Sequence, residues 1–193
     1  LFLLNFACND YALKNELKTG PELVVYPESI EFGHLISGTE SGQEIFAVIN
    51  AGDEDLIISH PELVSNSSRF NLDANLQENY TISPGDTQEF TVYYTPETFE
   101  SGEAIISLVS NDEDENQYEL PVTGFGDAPV MTVFPEVFDY GQISIGCDNE
   151  ERITIRNDGN LELIIDNITQ MVTQPADIIM EMGSLPPPPW YLT

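Results

Sequence analysis

Short apolar runs alternate with turn residues along most of the chain, which is the pattern of an all-β protein. From residue 20 to residue 126 the runs recur at intervals of about eight to twelve residues, as in β-sandwiches, and clusters of Gly, Pro, Asn, Asp and Ser separate them. In the clearest run, 88–94, Phe90, Val92 and Tyr94 alternate with a second set of positions. This alternation indicates a half-buried strand. The sequence therefore predicts antiparallel Ig-like β-sandwiches of about seven to eight strands each.

The other predicted strands are bounded by prolines, glycines or acidic turns. They span residues 23–26, 29–32, 43–50, 56–59, 80–82, 105–110 and 118–123. Residues 83–86, Ser-Pro-Gly-Asp, match a type II turn. We expect the second of these strands to stop at Gly33. Region 60–79 is expected to hold a loop and an edge strand, with Phe70 and Leu72 as inward anchors.

One short phrase occurs twice. Residues 27–33 read Pro-Glu-Ser-Ile-Glu-Phe-Gly, and residues 135–141 read Pro-Glu-Val-Phe-Asp-Tyr-Gly, 135 − 27 = 108 residues later. A repeat at this distance indicates tandem domains of ordinary size. We predict a signal remnant and tether at 1–20, a first sandwich at 21–126 and a second, truncated sandwich at 127–193.

The second copy identifies the core face of the strand at 43–50, which is apolar on both faces. The repeated Asn-x-Gly motif places Phe46 on Ile153 and Val48 on Ile155. Arginine and threonine alternate with these isoleucines, and those polar side chains must face solvent. Phe46 and Val48 are therefore the predicted core pair.

The second sandwich is expected to lack its last strands. By the repeat, residues 190–193 correspond to residues 80–83, where the first copy continues into three further strands. The inner face of the second copy would then lack cover. That face is formed by Phe138, Tyr140, Ile153, Ile155 and Ile164. We expect a fragment of a longer protein whose second domain is marginal or borrows strands.

The order of the motifs resembles the Ig-like module of hydin and abnormal-spindle proteins, whose bacterial relatives are known as choice-of-anchor D domains. The motifs are residues 27–33, 49–58, 83–86, 92–96, 108–112 and 122–126. The resemblance spans residues 21–126 and resumes from 128 to about 166. It implies an extracytoplasmic, repetitive bacterial surface protein, and it brings no catalytic residues, because the fold is a reused scaffold.

The charge of the chain excludes nucleic acid as a partner. The chain has 34 acidic residues and only five lysines and arginines, which gives a net charge of −29. After Lys18 the cations are Arg69, Arg152 and Arg156, so the acidity belongs to the predicted folded part. Such a surface repels phosphate backbones and anionic lipid headgroups. It is typical of a solvated, self-repelling exterior.

The first eight residues resemble the end of a bacterial lipoprotein signal peptide. Four apolar or bulky residues lead towards Ala7, which directly precedes Cys8. In such peptides the cysteine becomes the lipidated first residue, so Cys8 is the predicted lipidation site and residues 9–20 a polar tether. The alternative is an ordinary signal or strand fragment that contains a cysteine.

The second cysteine has no partner in the sequence if Cys8 carries lipid. Cys147 precedes a predicted strand, where the first copy has Thr39. It would pair with a cysteine elsewhere in a longer chain, pair between chains, or stay free.

Catalytic motifs are missing from the sequence. His34 and His60 lie in different predicted loops, with no cysteine or carboxylate at ligand spacing, so surface or hydrogen-bonded histidines are expected rather than metal ligands. No catalytic triad, phosphate-binding glycine loop or zinc motif occurs. No cofactor is therefore predicted. Residues 53–55 and 111–116 have enough oxygens for Ca²⁺, although they lack the spacing of a calcium loop and read as solvated turns.

These observations predict a non-enzymatic structural or adhesive spacer on the bacterial cell surface, held at the outer membrane only by a lipid anchor. Its partners are neighbouring domains of the same chain, with other surface proteins or glycans as further candidates. Two alternatives remain at this point. The first is a protein- or glycan-binding module that uses region 60–79 or 167–189, and the second is an adhesin stalk stiffened by Ca²⁺.

Overall fold

The computed structural model is built from β-strands. It describes residues 19–65, 68–73, 77–142, 144, 146–147, 149–171, 179–182 and 185–193. Those ranges contain fourteen strands and no helix, so the described part of the chain offers no helix that could cross a membrane. The predicted all-β class is confirmed.

Ten strands between residues 23 and 127 form an Ig-like sandwich. They are β1 (Leu23–Tyr26), β2 (Ile30–Ile36), β3 (Gly42–Asn50), β4 (Leu56–Ser59), β5 (Glu62–Ser65), β6 (Phe70–Leu72), β7 (Asn79–Ile82), β8 (Thr87–Tyr94), β9 (Glu100–Val109) and β10 (Gln117–Asp127). Sheet A has the order β1-β3-β8-β6, sheet B has the order β2-β10-β9-β5, and β4 pairs with β7.

The hydrophobic core consists of the inward side chains of these strands. Phe46 and Val48 are completely buried, which confirms the core pair inferred from the repeat. Phe90, Val92 and Tyr94 are buried as well, so β8 alternates as its sequence indicates. Burying each large apolar side chain contributes about 1.5–3 kcal/mol, and this burial is the main stabilising contribution to the sandwich.

The strand that was expected to end at Gly33 continues to Ile36, so that boundary is wrong. Gly33 adopts a positive φ of 66° inside β2, a conformation that glycine adopts without steric cost. The register between β2 and β10 shifts between Thr123 and Phe125, opposite this position. Gly33 therefore forms an irregularity within the strand and does not end it.

One pair of strands is parallel, so the purely antiparallel prediction needs correction. β2 runs parallel to β10, and the other strand pairs of the sandwich are antiparallel. The physical reason is that the chain leaves sheet A after β1 and enters sheet B as β2, beside the last strand of the sandwich. Alternation of apolar residues does not encode this change of sheet.

Region 60–79 supplies two edge strands instead of one, which helps to raise the strand count to ten. β5 pairs with β9 at the edge of sheet B, and β6 pairs with β8 at the edge of sheet A. Phe70 is buried and Leu72 is partly buried against the core. The two predicted anchors are confirmed, and the predicted count of seven to eight strands is too low.

Four further strands lie in the second copy of the repeat. They are β11 (Met131–Phe134), β12 (Thr154–Asn157), β13 (Leu163–Ile165) and β14 (Trp190–Leu192). Met131 pairs with Asn157 as Leu23 pairs with Asn50. β13 pairs with β14 as β4 pairs with β7. The alignment of the two copies is therefore confirmed for these two strand pairs, whereas residues 135–142, which correspond to the start of β2, form no strand. The division into domains at residue 126 stays a prediction.

The second copy has a more open interior than the first. None of the residues described between 128 and 193 is buried, and Ile153 and Ile164 are about half exposed, at 49% and 52%. In the first copy, β3 pairs with β1 on one side and β8 on the other, whereas the described pairing of β12 is with β11. The expectation of an uncovered inner face is met at Ile153, the counterpart of the buried Phe46. The assignment of Ile164 to that face is wrong, because Ile164 takes the place of Ile57, which faces outward in the first sandwich and is 46% exposed.

Candidate functional sites

A buried asparagine, Asn50, lies at the end of β3 and hydrogen-bonds to neighbouring segments of the first sandwich. Nδ2 of Asn50 donates to the carbonyl of Glu54 at 2.7 Å and to that of Ile82 at 2.8 Å. Its Oδ1 accepts hydrogen bonds from the backbone N–H of Gly52 at 3.0 Å and of Glu22 at 3.4 Å. A single side chain thus ties β3 to a turn, to the end of β7 and to the segment before β1.

The second copy repeats this arrangement around Asn157. Nδ2 of Asn157 donates to Leu161 O at 2.7 Å and to Leu192 O at 3.0 Å, and its Oδ1 accepts from Gly159 N and Val130 N, both at 3.1 Å. Sequence reasoning treated both asparagines only as turn residues. Their recurrence two residues before a glycine at the end of equivalent strands was the signal for this role.

The two acidic segments considered for Ca²⁺ meet at one end of the sandwich. Oδ1 of Asn111 accepts from Ile57 N at 2.7 Å, and Nδ2 of the same side chain donates to Asp55 O at 3.1 Å. Residues 53–55 and 111–116 are therefore neighbours in the fold, although they are more than fifty residues apart in sequence.

Carboxylates in these segments bind backbone amides of the protein. Asp112, which is 4% exposed, accepts from Leu23 N at 2.7 Å and from Asp114 N at 3.0 Å. Asp53 accepts from Gly20 N at 2.6 Å. The solvated-turn prediction is wrong for Asp112, because its carboxylate ties the β9–β10 turn to β1. Among the described residues no group of three or more His, Cys, Asp or Glu side chains is placed to hold a metal; Ca²⁺ binding stays an untested alternative.

The two histidines are exposed, and each contacts a protein oxygen. Nδ1 of His34 lies 2.7 Å from Oδ1 of Asp127, and its ring packs on Phe125 at a centroid distance of 4.9 Å. Nδ1 of His60 lies 3.2 Å from the carbonyl oxygen of Gln77. The structure thus places both on the surface with hydrogen-bonding partners, as expected, but His34 lies within β2 and not in a loop, so that part of the prediction is wrong.

Asp127 joins the first sandwich to the second copy. Its Oδ1 contacts Nδ1 of His34 at 2.7 Å and accepts from Nδ2 of Asn160 at 2.6 Å. These two hydrogen bonds, the one with His34 first, lower the pKa of the Asp127 carboxyl. We call His34, Asp127 and Asn160 the inter-repeat junction. Sequence reasoning missed it, because Asp127 is one acid among 34.

One of the two cysteines, Cys147, lies among the described residues. Cys8 lies outside the described residues, so its lipidation stays a prediction. Cys147 is an exposed, free thiol, and its backbone N–H donates to Ser144 O at 3.0 Å. Its location on the surface leaves a disulfide with another chain sterically open.

The outer face of sheet A carries exposed apolar side chains. Tyr26 is 71% exposed and Ile45 is 49% exposed, and the exposed side chains of Val24 and Tyr93 lie on the same face of the sheet. Isolated exposed apolar residues are ordinary on protein surfaces. Sheet A thus carries four exposed apolar side chains on one face, and the outer face of sheet B carries a comparable set in Val64, Ile105 and Val109.

Comparison with known proteins gives structural similarities only. No protein-family model matches the chain, and no curated protein matches it. The chain is similar to PapD-like domain 7 of human CEP192, with 11% identity, a TM-score of 0.44 and coverage of 54% of this chain and 84% of that one. It is also similar to a protein of unknown function from Porphyromonas gingivalis W83, with 17% identity, a TM-score of 0.45 and coverage of 61% and 51%.

A third similarity is to the CsuC–CsuE chaperone–tip adhesion subunit complex of Acinetobacter baumannii, with 9% identity, a TM-score of 0.41 and coverage of 75% and 81%. The class of the protein rests on its own two sheets, which define an Ig-like β-sandwich. The choice-of-anchor D and hydin resemblance stays a prediction.

Proposed function

We propose that this chain is a non-enzymatic structural module, in which an Ig-like unit at 21–126 and a second at 127–193 space other parts of a bacterial surface protein from the outer membrane. The observation that supports it is the repetition of the same side-chain hydrogen-bonding arrangement at Asn50 and at Asn157. Repetition of a whole unit, including its internal hydrogen bonds, is what a spacer built by duplication requires.

The anchor in this proposal is a lipid on Cys8. Full-length protein expressed with radiolabelled palmitate should carry the label, and the label should disappear in Cys8→Ser. Cys147→Ser is the matched control, because it removes the other cysteine without touching the proposed lipidation site, and it should stay labelled. Label that persists in Cys8→Ser, or a wild-type protein released unlabelled into the medium, overturns the anchor.

A protein-binding module is the second candidate, and the exposed apolar outer face of sheet A favours it. A photo-crosslinking amino acid at position 26 tests this role in intact cells, with the same probe at the exposed position 97 as the control. A partner adduct formed from position 26 and not from position 97 supports binding. Equal or absent adducts at both positions favour the spacer.

A further inference from the structure

We propose that Asn160 is the residue that fixes the second unit against the first, because its side-chain amide recognises the carboxylate of Asp127 at the end of β10. This inference rests on the proposed spacer function and adds the way in which the spacer is kept stiff. The partner recognised at this surface is thus the last strand of the preceding unit.

The two repeats differ at this position. The shift that carries Asn50 onto Asn157 carries Asp53 onto Asn160, since 53 + 107 = 160. Asp53 accepts from Gly20 N at 2.6 Å, and Asn160 accepts from Ala128 N at 3.2 Å. Both residues therefore perform the same local task through Oδ1, which needs only an acceptor and does not distinguish aspartate from asparagine.

The amide of Asn160 has a donor that aspartate lacks. Its Nδ2 lies 2.6 Å from Oδ1 of Asp127. Around the first strand the two repeats align with a shift of 108, since Leu23 corresponds to Met131. The position of Asp127 is therefore occupied by Thr19 in the first repeat, because 127 − 108 = 19, so Asp53 faces no acid there. A carboxylate at position 160 would instead bring two negative charges within hydrogen-bonding distance, which is unfavourable. The residue type at 160 therefore matches the acid that ends the preceding unit.

Asp127 is the last residue of β10, so it belongs to the first sandwich by its strand although the predicted boundary lies at 126, and the two partners are held by different sandwiches. The backbone carbonyl of Asp127 accepts from Ser37 N at 2.8 Å, His34 contacts its carboxylate, and the Asp127 side chain is 17% exposed. Asn160 is fixed from the other side, because its backbone N–H donates to Ala128 O at 3.2 Å while its Oδ1 accepts from Ala128 N. Two groups that are already oriented lose little conformational freedom when they bind each other.

Residual dipolar couplings of the ¹⁵N-labelled full chain test the proposal, because two units held rigidly share one alignment tensor. The native chain should fit a single tensor. Asn160→Asp should lose the common tensor, since it keeps the acceptor for Ala128 N and replaces the donor with a charge that repels Asp127. The matched control is Asp53→Asn, the same exchange in reverse at the equivalent position, and it should keep the common tensor.

A rescue variant separates recognition from local damage. In the double variant Asn160→Asp with Asp127→Asn, the amide and the carboxylate are exchanged, so the hydrogen bond and the common tensor should return. Amide shifts of Ile155 in β12 and Ile165 in β13 like those of the native chain establish that the second unit is folded in each variant.

A common tensor retained in Asn160→Asp overturns the proposal, as does a folded double variant that fails to recover it. Separate tensors in the native chain also overturn it. None of these results bears on palmitate labelling at Cys8 or on crosslinking from sheet A, so failure of the junction is distinguishable from failure of the spacer function.

Discussion

Asn50 and Asn157 make the same four types of hydrogen bond in the two copies of the repeat. Each donates to a carbonyl four residues ahead and to a carbonyl at the end of a partner strand, and each accepts from a glycine two residues ahead and from the segment before the first strand. The duplicated unit is therefore repeated in its polar interior as well as in its apolar pattern.

Replacing Asn50 with alanine should strongly destabilise the first sandwich. The change leaves the carbonyls of Glu54 and Ile82 without the donor that the buried side chain provides. Losing such partners costs about 2–4 kcal/mol in total. Urea unfolding of the full chain, followed at tyrosine resonances of the first unit, measures this loss.

The matched variant Asn157→Ala should cost less, about 1 kcal/mol, because its site is only partly buried and water can replace the lost partners. The exposed Asn71→Ala should change stability by no more than about 0.5 kcal/mol. A loss at Asn50 as small as that at Asn71 contradicts the structural role assigned to this asparagine.

Tyr94→Phe should stabilise the protein or leave it unchanged. The hydroxyl of Tyr94 is buried and has no hydrogen-bonding partner among the described residues, and burial raises the pKa of this phenol. The ring stacks on Phe70 at 4.5 Å, and phenylalanine would keep that contact. Removing an unpartnered buried hydroxyl gains about 1 kcal/mol.

Thermal unfolding measures this gain, with Tyr93→Phe as the control on the exposed face of the same strand. The control should change stability by less than about 0.5 kcal/mol. A clear loss of stability in Tyr94→Phe would mean that the hydroxyl has a partner.

Acid should remove the contribution of Asp127. Hydrogen bonds from His34 and Asn160 hold the pKa of this carboxyl below its ordinary value of 3.8. A carboxyl whose pKa is lower in the folded state stabilises the fold above its unfolded pKa, and that stabilisation is lost as the pH falls through the folded value. The melting temperature of the native chain should therefore exceed that of Asp127→Ala at neutral pH.

The two melting temperatures should begin to converge as the pH falls below about 3.8, the ordinary value of this group, and should meet only below its lower folded pKa. The difference should also be smaller when both chains carry Asn160→Ala. A difference in melting temperature that is unchanged at low pH would contradict the role of the Asp127 carboxylate in the inter-repeat junction.

Added salt should raise the melting temperature, because the net charge of −29 destabilises the compact state by self-repulsion. Screening between exposed charges is substantial at about 0.1 M NaCl, where the Debye length is about 10 Å. Thermal unfolding in increasing NaCl measures the effect. A melting temperature that falls with NaCl contradicts it, and a further rise in CaCl₂ at matched ionic strength would support the Ca²⁺-stiffened stalk.

The apolar pattern and the repeat predicted the parts of the fold that depend on local periodicity. Phe46 and Val48 were assigned to the core through their alignment with the second copy, and both are buried. The same alignment made Trp190 the counterpart of Tyr80 in the second copy. The two residues do occupy equivalent pairs, Ile165–Trp190 and Ile58–Tyr80. A duplicated sequence carries this information because side chains of a strand alternate between its two faces.

The features that the sequence did not predict depend on contacts between distant segments. Periodicity does not say that β2 pairs in parallel with β10, or that Gly33 lies inside a strand. Asp112 looked like a turn acid, and its contact with Leu23 spans 89 residues. The inter-repeat junction was hidden for the same reason, because it becomes visible only when Asp127 and Asn160 are seen together.

The most direct measurement for the spacer function is antibody access to an epitope tag placed after residue 193, in intact cells that produce the full-length protein. Deletion of residues 21–126 should reduce access, and replacement of those residues by an unrelated Ig-like domain of equal length should restore it, because a spacer depends on length and not on its surface side chains. Access that survives the deletion, or that the replacement fails to restore, would contradict the account.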